Sequence, residues 1–193
     1  AHPRKSSYGV AIQLSHLISR MNSRTENIVI QTNRLFLRNI SDGDLSNIYK
    51  GLSHHKVIKH YGVSFESIEA TEEQMRWFKN PSQSWWAICE SSSAKFIGAV
   101  GFNAISIQHK KAEIGLWLLP EFWGKGYMQE IMPPVCNYGF DHLNLHRIEG
   151  FVETENTACR RSMRKLNFKH EGTMKDCEIK DGKFISVEIY SLL

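Results

Sequence analysis

Short alternating stretches and helically spaced stretches of apolar residues follow one another along this chain. Arg34-Leu35-Phe36-Leu37-Arg38 reads as a first strand. Ser41-Asp42 offers an N-cap, and Asp44 to Leu52 is helical in pattern. Ser67 to Lys79 predicts a second helix, with Ile68, Met75 and Phe78 on its apolar positions and Pro81 closing it. Three strand-like segments come next: Trp85 to Cys89, Phe96 to Ile105, and Lys111 to Leu119. The Ser91-Ser92-Ser93 turn cluster separates the first two, so the three predict an antiparallel meander. After Pro120 and a short loop, Gly124-Lys125-Gly126 leads into a helix from Tyr127 to Phe140. Pro133 and Pro134 fall inside it, where lost amide donors predict a kink or irregular turn.

Arg147 to Glu153 is a further strand, Asn156 to Leu166 a helix and Phe168 to Met174 a strand. Glu178 to Tyr190 reads as a hairpin around Asp181-Gly182, a strong two-residue turn signal. The pattern predicts an α+β fold around one sheet. The 193 residues suit a single domain, taken as 21–193. Residues 1–20 precede Met21, which resembles a natural start; they read as an N-terminal extension or a segment added for expression, with a short amphipathic helix around Ala11 to Ile18 as a further reading.

Composition narrows the function classes. Hydrophobic residues make up 41% and charged residues 23%, ordinary for a globular chain. The formal net charge of +4 welcomes an anionic ligand, but the basic residues are scattered, so no nucleic acid is expected. No apolar run reaches the length of a membrane span, and no signal-peptide core is present, so no membrane partner and a cytoplasmic location are expected. Cys89, Cys136, Cys159 and Cys177 form no C-x-x-C pair and read as reduced thiols.

The candidate chemistry lies in the strand, the Gly-Lys-Gly turn and the helix after it. A helix N-terminus presents unpaired amides and a positive dipole end, and glycines let backbone approach a ligand closely. The loop therefore reads either as a pyrophosphate cradle or as glycines that merely turn the chain. A P-loop requires Ser or Thr after Gly-Lys, and the dinucleotide fingerprint requires a third small residue where Gln129 stands, so both are set aside.

Read together, Ala112-Glu113-Ile114-Gly115-Leu116-Trp117-Leu118 and Pro120-Glu121-Phe122-Trp123-Gly124-Lys125-Gly126 closely resemble the acetyl-CoA-binding core of the GNAT N-acetyltransferase superfamily. Phe102-Asn103-Ala104-Ile105 supports this, as does the block from Glu155-Asn156-Thr157-Ala158-Cys159 through Arg164-Lys165-Leu166-Asn167-Phe168. The resemblance covers about Asn33 to the C-terminus and is closest to the branch with the ribosomal-protein N-terminal acetyltransferases. It implies a central, mixed, mostly antiparallel twisted sheet of about seven strands flanked by helices. It implies acetyl-CoA as co-substrate, an amine acceptor attacking directly in a ternary complex, and a monomer or homodimer. The positions it assigns to acetyl-CoA are Trp117, Leu118, Leu119, Trp123, Gly124, Lys125, Gly126, Tyr127, Met128, Asn156 and Arg161.

Four positions depart from the superfamily pattern. The loop pattern begins with Gln or Arg and ends with Gly or Ala, where this chain has Trp123 and Met128; the backbone amides are then left to hold the ligand. Asn167 replaces a helix-ending glycine and tolerates the left-handed conformation. Met163 stands where many members carry a general-acid tyrosine, so that role is absent.

Acetyl transfer needs a neutral amine, a stabilised carbonyl oxygen and a protonated leaving thiolate. We nominate Glu113 as base, through a water; the alternative is a solvent-facing residue or an ion-pair partner of Lys111. An α-amine, with a pKa of about 8, needs only modest help. Backbone amides near Leu118 are the donors to the oxygen. Cys159 is placed beside the CoA sulfur as proton donor or water holder, with a nucleophile or an inert buried thiol as alternatives. Asn156 either binds the pantetheine arm or caps its helix. Arg160, Arg161, Arg164 and Lys165 meet the CoA 3′-phosphate or form a solvated face.

His142 and His146 have a metal-compatible spacing but no companion ligand, and no metal is expected. His54-His55, Tyr61, Trp77 and one of Trp85 and Trp86 are expected either to line the acceptor cleft or to pack the core. The expected function is acetyl-CoA-dependent N-acetyl transfer, with a protein N-terminal α-amine as the acceptor. A small-molecule amine (an antibiotic, polyamine or amino acid) is the alternative, and a non-catalytic acyl-CoA-binding module a further one.

Overall fold

The computed structural model describes residues 28–193, so the readings on residues 1–20 and Met21 lie outside the described residues. Within them, eight strands form one sheet in the order β1-β2-β3-β4-β5-β6-β8-β7. The strands are β1 (Ile28–Gln31), β2 (Leu35–Asn39), β3 (Ser84–Glu90), β4 (Phe96–Ser106), β5 (Lys111–Leu118), β6 (Arg147–Glu153), β7 (Lys169–Lys180) and β8 (Lys183–Leu192). The helices are α1 (Leu45–Leu52), α2 (His55–Ile58), α3 (Ile68–Phe78), α4 (Tyr127–Asp141) and α5 (Thr157–Lys165). The expected α+β domain is present; β1 and α2 are additions, both too short to leave a periodic signal.

The meander is antiparallel from β1 through β5, and β6 then joins β5 in parallel. Such a join requires a crossover, which α4 supplies. Helices cover both faces, which is why β3 is buried along its interior. Successive residues on β3 point opposite ways. Trp85 meets Trp77 and Phe78 of α3, whereas Trp86 meets Tyr138 of α4. So α1 and α3 lie on one face, and α4 and α5 on the other.

Two local expectations are revised. The α-helical run of α4 continues unbroken through Pro133 and Pro134, with Ile131, Met132, Val135 and Cys136 buried against the sheet; packing of that face outweighs the missing donors. The expected strand Phe168 to Met174 and the first arm of the expected hairpin are one strand, β7, with a bulge between Met174 and Glu178. The Asp181-Gly182 turn has φ of 50° and 72° at its two residues, as a tight hairpin turn demands. Asn167, at φ 64°, ends α5 in the left-handed conformation.

Candidate active site

β5 and β6 pair only from Lys111 to Glu113 against Arg147 to Glu149. Beyond Glu113 they splay, and the gap opens into a cleft of about 1480 Å3. The Leu119 N–H donates to Ile97 O of β4 at 2.8 Å. By alternation, the amides of Trp117 and Gly115 also face β4, while those of Leu118 and Leu116 face the cleft. The strand therefore presents a row of backbone donors and acceptors to whatever enters.

At one end of the cleft stands the glycine loop. Gly124 and Gly126 both have left-handed backbone, φ +73° and +76°, and Gly126 is the N-cap of α4. Apart from its chain neighbours, no heavy atom lies within 4 Å of a Cβ built on Gly124, so this position faces open space. The first-turn amides of α4 have no intrahelical acceptor and sit at the positive end of its dipole. Trp123, Gly124, Gly126, Tyr127 and Met128 all line the cleft. Leu119 and Lys125 are not among the lining residues. Leu119 continues the ladder with β4 and is buried in the core. Lys125, between the two left-handed glycines, projects its side chain over the Phe122 ring, 4.8 Å from the centroid.

Across the cleft, Asn156 caps α5, its Oδ1 accepting from the Cys159 N–H at 3.1 Å. The capping role is thereby present, and Asn156 also lines the cleft. Cys159 lines the cleft, and burial pushes its thiol up to about 11, so the sulfur is protonated at neutral pH. A thiolate nucleophile is disfavoured on that ground. The basic residues of α5 divide in two. Arg160 is committed to Glu188 and the Thr154 carbonyl, whereas Arg161 and Lys165, one turn apart, line the cleft. Met163 is buried under Gly150, where it packs rather than reacts.

The opposite end holds Glu113, Tyr61, Trp77 and Trp85. Glu113 faces Asn103 across the β4–β5 register. The Trp85 Nε1 donates to Asn103 Oδ1 at 2.7 Å, which leaves the Asn103 amide group for Glu113. Burial raises the Glu113 pKa above the ordinary carboxylate range, the Asn103 hydrogen bond opposes this, and the Glu149 and Glu178 carboxylates add to the rise. Lys111 pairs with Glu149 at 3.1 Å, so the ion-pair role considered for Glu113 falls to that residue. The Tyr61 hydroxyl lies 3.7 Å from the position a Cβ on Gly115 would occupy. Burial, and to a lesser degree the Glu113 charge, raise its pKa, so it stays protonated.

Beside Tyr61 lies a clasp with no signal in the sequence. Glu153 of β6 accepts from Lys180 at 2.6 Å and bonds His60 Nδ1 at 2.7 Å, and Lys180 also reaches the Tyr61 carbonyl at 3.4 Å. Asn103 carried a signal, as the cross-strand partner of Glu113 in a meander. The clasp carried none, because its members lie 93 and 27 residues apart. His54 caps α2 by accepting from the Lys56 N–H; it does not line the cleft. Among the described residues, no helix is long and apolar enough to cross a membrane.

The chain matches a family model described as "Acetyltransferase (GNAT) domain" over residues 34–169. It is 33% identical over 170 residues to the uncharacterized N-acetyltransferase YoaA of Bacillus subtilis (strain 168), covering 86% of this chain and 96% of that one. It is 27% identical over 157 residues to a spermidine N(1)-acetyltransferase of Vibrio cholerae, covering 80% and 90%. The fold superposes on a crystal structure of spermidine N-acetyltransferase from Vibrio cholerae in complex with CoA and spermine. That match has a TM-score of 0.77 at 23% identity and covers 83% of this chain and 96% of that one.

Proposed function

Because the chain belongs to the GNAT acetyltransferase family, we propose that it moves the acetyl group of acetyl-CoA onto a small cationic primary amine seated beside Glu113. The observation that carries this reading is the splay of β5 from β6 after Glu113, which joins the glycine loop and the carboxylate in one cleft.

The residues present suit acetyl-CoA. The Gly124–Gly126 loop and first-turn amides of α4 receive the pyrophosphate. Arg161 and Lys165 stand where a 3′-phosphate needs cations. The cleft-facing amides of Leu116 and Leu118 pair with the pantetheine arm and hold the thioester oxygen as charge gathers on it. Asn156 serves as the helix cap and needs no further role.

Glu113 accepts the proton that the amine sheds, through one water, as the nitrogen forms its bond to the carbonyl carbon and the carbon–sulfur bond breaks. The Tyr61 hydroxyl, on the same face, hydrogen-bonds the incoming nitrogen and fixes its direction. Cys159 is a poor final acid: burial raises its thiol to about 11, so it holds its proton more tightly than an unperturbed cysteine thiol of about 8.5. It therefore donates a hydrogen bond to the departing thiolate, and the proton that completes the thiol comes from solvent.

The acceptor end supports a small amine over a polypeptide. Trp77, Trp85 and Tyr61 supply aromatic faces, Glu113 supplies charge, and the Lys180–Glu153–His60 clasp fixes the His60–Tyr61 segment beside them. The spermidine acetyltransferase relative is consistent with that choice. The test is thiol release from acetyl-CoA with polyamines, other small amines and N-terminal peptides as acceptors. Turnover with small amines and not with peptides is expected; the reverse preference would assign the protein N-terminus. Stabilisation by acetyl-CoA with no turnover on any acceptor would mark a binding module, and no stabilisation at saturation would remove the whole reading.

A further inference from the structure

Arg34, at the start of β2 and outside the cleft, grips the glycine loop from behind. Its Nη1 donates to the Lys125 carbonyl at 3.0 Å. Its Nε donates to Glu130 Oε2 at 2.6 Å, and its backbone N–H to Glu130 Oε1 at 2.9 Å. Thr32 Oγ1 donates to the same Glu130 Oε1 at 2.6 Å. The guanidinium also lies over the Tyr127 ring, 4.6 Å from its centroid, and Tyr127 Oη in turn donates to Glu90 at 3.0 Å. One side chain thus touches the loop, the first residue of α4 and the end of its first turn.

Peptide geometry turns this grip into an orientation. In a trans peptide the carbonyl and the following N–H point in opposite directions. With the Lys125 carbonyl aimed at Arg34, the Gly126 N–H aims away from it, toward the cleft that Gly126 lines. Left-handed φ at Gly124 and Gly126 leaves this peptide plane little held by local sterics, because glycine tolerates several orientations there. An external bond is what selects one.

Charge gives a second consequence. Glu130 sits in the first turn of α4, where a carboxylate competes with any anionic ligand for the positive end of the helix. Arg34 and Thr32 hold that carboxylate against β2 and neutralise it. The dipole and the unpaired amides then remain available to the cleft.

We infer that Arg34 is a positioning residue for the phosphate end of the cleft: it sets the Gly126 amide and screens Glu130 so that the loop is preorganised for a pyrophosphate. The inference rests on the reading of this loop as the acetyl-CoA pyrophosphate site.

The test compares Arg34→Met and Arg34→Lys with the unaltered protein, using two donors. Acetyl-CoA carries the pyrophosphate; acetyl-pantetheine does not. Calorimetric CoA binding is expected to weaken by about tenfold or more in Arg34→Met, the worth of a charge-assisted contact. The KM for acetyl-CoA should rise in step while kcat changes by less than about threefold, and kcat/KM should fall at least about tenfold more with acetyl-CoA than with acetyl-pantetheine. Arg34→Lys keeps the charge but loses the fork, and should fall between. If Arg34→Met does not fold, Arg34→Lys carries the same comparison. Equal losses with both donors, or unchanged CoA binding in a folded variant, would overturn the inference. An unaltered protein that binds no CoA would instead overturn the functional reading, and this inference with it.

Discussion

The indole Nε1 of Trp123 donates to the Leu118 carbonyl at 2.7 Å, tying the head of the glycine loop to the last residue of β5. The two ends of the donor site, strand and loop, are therefore braced by one bond. Trp123→Gln removes the ring and loosens that brace, and a severalfold rise in KM for acetyl-CoA is expected. Gly126→Val should do far more. A side chain at φ +76° costs about 1–2 kcal/mol of backbone strain, more for a β-branched residue, and turns the amide away from the ligand. Steady-state kinetics of the two variants side by side check the ranking.

Glu113→Gln should lower kcat/KM by about a hundredfold or more, the usual worth of a general base, without loss of stability. The sign follows from its raised pKa. Such a carboxylate contributes stability below its unfolded pKa of about 4.3, and that contribution is lost as pH rises through the folded value. At pH 7–8 the buried charge is a liability, so Glu113→Gln should melt at the same temperature or higher. Thermal melts at pH 5 and pH 8 check this, and a lower melting temperature at pH 8 would count against it.

Asn103→Ala should shift the pH profile. The Asn103 amide holds the Glu113 pKa down, so its removal lets burial raise that pKa further. The acidic limb of kcat/KM is expected to move to higher pH. A limb that stays put would separate Glu113 from the titration.

Tyr61→Phe should reduce kcat with the amine by about five- to tenfold, equivalent to one hydrogen bond of about 1 kcal/mol. CoA binding should be unchanged, because Tyr61 lies at the Glu113 end of the cleft, where the amine is proposed to sit. Calorimetry and kinetics on the same variant distinguish this from general damage.

Two glycines test the packing. A Cβ on Gly51 of α1 would fall 2.1 Å from Cζ3 of Trp117, a rigid indole that also meets Phe96. A Cβ on Gly150 would fall 2.4 Å from Cε of Met163, the mobile end of a flexible side chain. Gly51→Ala should cost about 1–3 kcal/mol and Gly150→Ala less. Denaturant melts decide between them.

Much of the fold was legible because its signals are local. The β3–β5 meander followed from alternation and the Ser91-Ser92-Ser93 turn, and the β7–β8 hairpin from Asp181-Gly182. The helix after Gly126 ends within a residue of the position its pattern predicts, and its run continues through Pro133 and Pro134 because burial against the sheet is not a local quantity. Leu119 and Lys125 do not line the cleft, because proximity in sequence says nothing of which way a residue points.

By itself the sequence carried the resemblance that implies acetyl transfer. A strand carrying Glu113, a Gly-x-Gly turn and a helix start are contiguous, so they stay neighbours however the chain folds. The tertiary structure alone decided what surrounds that loop. Arg34 reaches Lys125 across 91 residues and Tyr61 reaches toward Gly115 from another layer. Lys180 closes on the Tyr61 carbonyl across 119. Such contacts arise only when sheet register and helix packing bring distant segments together, and no period or motif along the chain encodes them.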